Sequence, residues 1–126
     1  MPAPNLFLVY VSDVERATAF YADLFEIDPV MTTPRYVPFE VAPGVLFAVW
    51  GGRADLVGPQ TPRTSEVGLM VPGSSAAVDD LHAAWVAKGV TVVEAPRDEV
   101  FGRTFVAADP DGNLIRVSPV DPSPSP

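Results

Sequence analysis

Apolar positions along the first half of the chain change from strand spacing to helical spacing and back again. The run NLFLVYV at residues 5–11 is apolar and rich in residues that favour strands, which predicts a strand. The following segment VERATAFYADLF predicts a helix, because apolar side chains recur there at intervals of three and four residues. Its apolar stripe consists of Ala17, Phe20, Tyr21 and Leu24. Three further strands are predicted near residues 30–33, 35–41 and 45–50, so this half has the order βαβββ.

The second half of the chain shows the same order of elements. The run EVGLMV predicts a strand, and a helix follows it from Ser74 or Ser75 to a stop at Gly89. The apolar stripe of this helix consists of Val78, Leu81 and Trp85. Strands are then predicted near residues 90–94, 103–108 and 113–119. Between the halves, residues 51–64 are polar and rich in glycine and proline, which indicates a linker.

The two halves also match residue by residue in their last strands. The segment PGVLFAVW aligns with DGNLIRVS when the first is shifted by 68 positions, which pairs Gly44 with Gly112. The same shift places Ala48 opposite Arg116. In such a repeat each helix covers one face of its sheet. The other faces must then close on each other, within one chain or between two chains.

A charged residue, Arg116, stands inside the apolar final strand. Residues 110–113, PDGN, have turn composition, so the strands on either side of them are predicted to form a hairpin. Alternation along the final strand places Ile115 and Val117 on one face and Arg116 with Leu114 on the other.

Composition narrows the classes of partner. The chain has 126 residues, of which 48% are hydrophobic, and it has a formal net charge of −8 and no cysteine. A surface for nucleic acid needs clustered cations, and the eight Lys and Arg residues do not cluster. No apolar run reaches the roughly 18 residues of a membrane span, and the start lacks the features of a secretory signal. We therefore expect a cytoplasmic protein with no nucleic-acid or membrane partner. Residues 121–126, DPSPSP, are expected to be disordered.

Three segments resemble the vicinal oxygen chelate superfamily, which includes glyoxalase I, bleomycin-resistance proteins and extradiol dioxygenases. They are VSDVERATAFYADLF, GLMV with the helix AAVDDLHAAWVAKGV after it, and FGRTFVAADPDGNLIRV, of which the last is the most specific. The resemblance covers about residues 5–120. It implies an α+β fold of two βαβββ modules whose mixed sheets curl round a shared cavity, commonly as a domain-swapped homodimer. A single domain is therefore expected over residues 1–120, with module one at about 5–50 and module two at about 65–119.

The resemblance also identifies four positions at which metal-using members place their ligands, one on the first and one on the fourth strand of each module. Here these positions hold Leu6, Ala48, Glu66 and Arg116. Of these only the glutamate has an oxygen that a divalent cation can use, and arginine is a permanent cation without a free lone pair. We therefore expect no metal and no other cofactor. The single histidine, His82, lies on the second predicted helix and is expected to be a surface or packing residue.

The same alignment predicts that Arg116 faces the cavity. A partly buried guanidinium needs an anion nearby. This predicts either an Arg116–Glu66 pair or an Arg116 side chain held for the carboxylate of a ligand. The alternative is a solvated, unpaired Arg116 at an open mouth of the cavity.

The cavity residues favour binding of a small, planar, partly apolar molecule. The predicted ligand-binding residues are Tyr36, Phe39, Ala48, Trp50, Glu66, Phe101, Phe105 and Arg116, and no catalytic residue is assigned. The predicted function is metal-free sequestration of a small aromatic molecule, such as an antibiotic, between the modules, as in bleomycin-resistance-like proteins. The alternative is a glyoxalase- or dioxygenase-like lyase or isomerase, with an atypical metal site or with Glu66 as general base and Arg116 as electrostatic stabiliser. An ion pair between those two side chains would weaken the base.

Overall fold

The computed structural model describes residues 2–58 and 60–120, and it has the α+β class that the sequence predicts. Two units divide between Thr61 and Pro62, inside the predicted linker. The tail at 121–126, predicted to be disordered, lies outside the described residues. No helix in the described part of the chain is long and apolar enough to cross a membrane. The cytoplasmic location stays a prediction.

The first unit is a three-stranded mixed sheet with one helix against one of its faces. Its elements are β1 (Leu6–Tyr10), α1 (Val14–Phe25), β2 (Tyr36–Ala42), β3 (Val45–Trp50) and a short 3-10 helix (Ala54–Leu56). The strand order is β1-β3-β2, with β1 parallel to β3 and β2 antiparallel to it. Because β3 is central, each of its side chains has cross-strand neighbours on both sides.

The prediction of a strand near residues 30–33 is wrong. The backbone N–H of Val30 donates to the carbonyl of Pro38 at 2.8 Å, but this described segment forms no strand ladder. Pro29 and Pro34 bracket it, and a proline has a fixed φ and no N–H to donate to a ladder. The first unit therefore has the order βαββ, one strand fewer than the predicted βαβββ.

Helix α1 has a cap at each end and a packed face. The Asp13 carboxylate accepts a hydrogen bond from the backbone N–H of Arg16 at 3.0 Å, which caps the first turn. Glu26, at φ 53°, ends the helix in the left-handed conformation. On the buried face, Tyr21 contacts Phe47 of β3 with ring centroids 4.9 Å apart. This contact identifies the face of the first sheet that α1 covers.

The second unit has the predicted order βαβββ. Its elements are β4 (Glu66–Val71), α2 (Ser75–Ala87), β5 (Thr91–Glu99), β6 (Gly102–Ala108) and β7 (Leu114–Pro119). The strand order is β4-β7-β6-β5, with β4 parallel to β7 and the other neighbours antiparallel. Trp85 of α2 is buried and packs edge-on against Phe105 of β6, with ring centroids 5.5 Å apart. That contact identifies the face of the second sheet that α2 covers.

The sequence repeat corresponds to a repeat of strand pairing. β1 is parallel to β3 in the first sheet, as β4 is parallel to β7 in the second. Gly44 (φ 73°) precedes β3 and Gly112 (φ 87°) precedes β7, both in the left-handed conformation that favours glycine. Leu6 and Glu66 hold the same register position, each opposite a leucine of the neighbouring strand.

Candidate ligand-binding site

Each sheet has a helix face, which the helix of the same unit covers, and a second face, which we call the open face because the helix of that unit does not cover it. In the first sheet Phe47 contacts α1, so alternation along β3 places Ala48 and Trp50 on the open face. In the second sheet Phe105 contacts α2 and pairs with the residue that follows Arg116 in β7. Arg116 therefore lies on the open face. The alternation predicted for the final strand is confirmed.

Three aromatic residues occupy adjacent positions on the open face of the first sheet. Trp50 and Tyr10 contact edge to face, with ring centroids 5.7 Å apart. Tyr36 is the antiparallel partner of Trp50 in β2. A Cβ on Gly52 would overlap the Trp50 indole, so the glycine leaves room for the ring in this position. We call Tyr10, Tyr36 and Trp50 the aromatic cluster.

The structure places two other predicted residues of the first unit outside this cluster. Ala48 shares the open face but is fully buried, between Leu8 and Pro38 in the strand register. Phe39 lies on the helix face, is fully buried, and stacks with Phe47 at a centroid distance of 6.2 Å. Phe39 therefore belongs to the core of the first unit.

On the open face of the second sheet, two side chains hold Arg116. Its Nε donates to Oε1 of Glu66, so the predicted Arg116–Glu66 pair is present. Its Nη1 donates to Oγ1 of Thr104 at 3.2 Å, and that hydroxyl donates to the carbonyl of Val117 at 2.7 Å. The hydrogen bond with Glu66 is the main cause that raises the pKa of the Arg116 guanidinium above its ordinary value, despite partial burial. Arg116 is therefore a fixed cation.

The anchored guanidinium of Arg116 keeps part of its donor capacity. A guanidinium has five N–H groups, and Glu66 and Thr104 engage only Nε and Nη1. Among residues 2–58 and 60–120, Nη2 of Arg116 has no acceptor. The Arg116 side chain is 25% exposed, so part of it is open to solvent.

The two remaining predicted residues lie away from the open faces. Phe105 is buried and contacts Trp85 and His82 of α2, so it belongs to the core of the second unit. Phe101 is 51% exposed in the turn between β5 and β6. His82 packs against an aromatic ring, with centroids 5.2 Å apart, as expected of a packing residue.

Sequence reasoning missed two residues of the candidate site. Tyr10 becomes a neighbour of Trp50 only through the parallel pairing of β1 with β3, which no local pattern shows. Thr104 bonds to Arg116 across the β6–β7 hairpin. Thr104 could have been found from the sequence. Counting outward from the turn at 110–113 pairs Val106 with Arg116, which makes Thr104 a diagonal neighbour of Arg116 on the same face.

A family model described as the glyoxalase/bleomycin resistance protein/dioxygenase superfamily matches residues 3–117. The chain belongs to this superfamily. Its relatives include the phenazine antibiotic resistance protein EhpR of Enterobacter agglomerans, 47% identical over 121 residues, which cover 94% of this chain and 92% of that protein. The family and the α+β fold class with two mixed sheets, both predicted from the sequence, are thus confirmed.

Solved structures with this superfamily fold include two useful comparisons. A protein of Agrobacterium tumefaciens, solved in solution by NMR, is 30% identical with a TM-score of 0.78, over 97% of this chain and 100% of that chain. The fosfomycin resistance protein FosX of Listeria monocytogenes is 19% identical with a TM-score of 0.75, over 95% of this chain and 94% of that chain. At that identity FosX shows the shared fold alone.

The four positions at which the resemblance places the ligands of metal-using members lie on the open faces. They are Leu6, Ala48, Glu66 and Arg116. Leucine and alanine have no ligating side-chain atom, and the Glu66 carboxylate already bonds to Arg116. In the described residues, no group of three or more His, Cys, Asp and Glu side chains could hold a metal ion. A divalent metal therefore does not fit the residues at these positions.

Proposed function

We propose that this chain binds a planar aromatic small molecule of the phenazine class and retains it without chemical change, as a resistance protein that acts by sequestration. The observations that carry this proposal are the partly exposed aromatic rings on the open face of the first sheet and, separately, the anchored guanidinium of Arg116 on the open face of the second sheet. The 47% identity to a phenazine antibiotic resistance protein over nearly the whole chain supports the same ligand class.

The aromatic cluster on the first sheet is suited to a flat apolar ring system. Tyr10 is 36% exposed and Trp50 is half-buried, so both rings keep surface that a ligand can cover. Each aromatic contact contributes about 0.5–1.5 kcal/mol beyond the burial of its area. Because Tyr10 and Gly52 already fix the position of the indole, little freedom is lost when a ligand stacks on it.

The open face of the second sheet, considered by itself, is suited to an acidic small molecule, because Arg116 lies on it. The unused Nη2 of Arg116 can donate a charge-assisted hydrogen bond, which is roughly twice as strong as a bond between neutral groups. Glu66 and Thr104 hold the guanidinium in one orientation. A ligand carboxylate therefore meets a donor that is already ordered, and the entropy cost of binding is reduced.

The same contacts favour binding over base catalysis. A general base must be free to accept a proton from the substrate, whereas Glu66 already accepts a hydrogen bond from Arg116. His82, the single histidine, packs against Phe105 on the helix face. The lyase or isomerase alternative therefore needs a base that neither of these side chains supplies.

Trp50→Ala is expected to raise the dissociation constant for neutral phenazine, which has no carboxylate for Arg116, about tenfold, because it removes the main stacking surface of the aromatic cluster. Isothermal titration calorimetry measures the change. The matched control is Phe20→Ala, which removes a half-buried ring from α1 of the same unit. An unchanged dissociation constant in a Trp50→Ala protein that still folds would exclude the aromatic cluster from the site.

We also propose that the chain forms a homodimer, while exchange of modules between chains stays a prediction. β1 lies at the edge of the first sheet, and Leu6 and Phe7 on its two faces are 49% and 52% exposed. An exposed apolar edge strand is a site at which another chain can pair. Sedimentation equilibrium is expected to give the mass of two chains, and Phe7→Lys is expected to shift the mass toward one chain. A wild-type mass of one chain would contradict this proposal.

A further inference from the structure

Gly68 lies inside the continuous strand β4, at a position where the backbone conformation does not require a glycine. It lies inside an edge strand, and its φ is outside the positive region that favours glycine. A Cβ added at this position would meet no atom within 4 Å. Glycine weakens a strand interior, and it often marks a place where a ligand or another backbone approaches closely.

The other glycines show how unusual this position is. Gly58 is the one other glycine that combines an ordinary φ with room for a side chain, since its added Cβ would meet nothing closer than 3.5 Å. Gly58 lies in the linker, outside the sheets. The remaining glycines either have a positive φ or would place a Cβ against a neighbouring atom.

The neighbours of Gly68 on the open face have defined chemistry. Gly68 is the cross-strand partner of Arg116. Alternation along β4 places Glu66 and Met70 on the same face, one on either side of Gly68. Met70 is 50% exposed, and its thioether can make favourable contacts with aromatic rings. A patch of bare backbone is therefore bounded by the Arg116–Glu66 ion pair and by a flexible apolar side chain.

We propose that Gly68 is the floor of the ligand site on the second sheet, where the flat ring of an aromatic acid lies directly against the β4 backbone. A ring in that position brings its acidic substituent to Nη2 of Arg116 and its edge to Met70. A side chain at residue 68 would fill the space of the ring and separate the ligand from the sheet. This role, which rests on the proposed binding function, makes residue 68 a determinant of ligand shape.

The test compares Gly68→Ala and Gly68→Val with the matched control Gly58→Ala. For phenazine-1-carboxylate we expect the dissociation constant to rise about threefold or more in Gly68→Ala and about tenfold or more in Gly68→Val, because the larger side chain displaces the ring further. Isothermal titration calorimetry measures both changes. The Gly68 variants are expected to melt no lower than the wild type, because side chains other than glycine favour a strand.

Three results would overturn the role of Gly68. If the wild type binds phenazine-1-carboxylate and both Gly68 variants bind it equally well, the floor is excluded while the proposed function stands. If Gly68→Ala melts below both the wild type and Gly58→Ala, the glycine has a structural role instead. If the wild type binds neither phenazine-1-carboxylate nor neutral phenazine, the proposed function is wrong and the floor is excluded with it.

Discussion

Arg116→Met is expected to weaken the binding of phenazine-1-carboxylate by about tenfold to a hundredfold. The substitution keeps the apolar stem of the side chain and removes the Nη2 donor proposed to meet the carboxylate. It also leaves Glu66 without its cation, and Glu66 lies on the same face. The ligand then meets a like charge, which lowers affinity further. Both effects act in the same direction, so this substitution has the largest expected effect on binding.

Neutral phenazine separates the loss of the carboxylate contact from a general loss of the site. Its affinity is expected to change less than about threefold in Arg116→Met, because it has no carboxylate. Arg103→Met is the matched control, since the Arg103 side chain is 27% exposed and bonds to Asp79 of α2 on the helix face of the same sheet. Equal losses for the two ligands, or an equal loss in the Arg103 variant, would contradict the role assigned to Arg116.

Asp109→Ala is expected to lower the free energy of unfolding by about 2–4 kcal/mol. Asp109 is buried in the turn that joins β6 to β7. Its Oδ1 accepts from the backbone N–H groups of Asp111 and Asn113, both at 2.9 Å, and its Oδ2 accepts from the Asn113 side-chain amide at 2.8 Å. Alanine removes all three acceptor contacts. The hairpin that places Thr104 beside Arg116 therefore depends on this carboxylate.

Urea denaturation, followed by tryptophan fluorescence, measures the effect of Asp109→Ala. The control is Asp98→Ala, because the Asp98 side chain is 81% exposed and its ion pair with Arg103 is 3.3 Å long. Removal of such a surface pair is expected to cost less than about 1 kcal/mol. A loss in Asp109→Ala no larger than the loss in Asp98→Ala would show that the turn does not depend on the buried carboxylate.

Elements with strong local signals could be predicted from the sequence. The segment at residues 30–33, which precedes β2, shows why other elements could not. Helix α1 over Val14–Phe25 and strand β4 over Glu66–Val71 agree with the predicted bounds, because helical periodicity and an apolar run are local properties. The apolar character of residues 30–33 predicted a strand, but a strand also needs a partner along its length. The flanking prolines and the isolated bond from Val30 do not provide one.

Prediction of the candidate site requires two kinds of information, namely the face of the sheet on which each side chain lies and the pairing of the strands. The face of a residue follows from parity along its strand, so the separation of Phe39 from Tyr36 could have been predicted, since three positions in a strand change the face. The contact of Tyr10 with Trp50 depends on which strands pair and in which register. The register is set by the burial of one face of the whole sheet. A slip of one residue would turn every side chain of a strand to the other face and expose those that are buried.

The measurement that tests the proposed function most directly joins binding with the fate of the ligand. Wild-type protein is titrated with phenazine-1-carboxylate in a calorimeter, and the ligand is then recovered from the denatured complex and analysed by liquid chromatography and mass spectrometry. Sequestration predicts saturable binding and complete recovery of the unaltered compound. The absence of binding, or the recovery of a compound with a different mass or retention time, would contradict it.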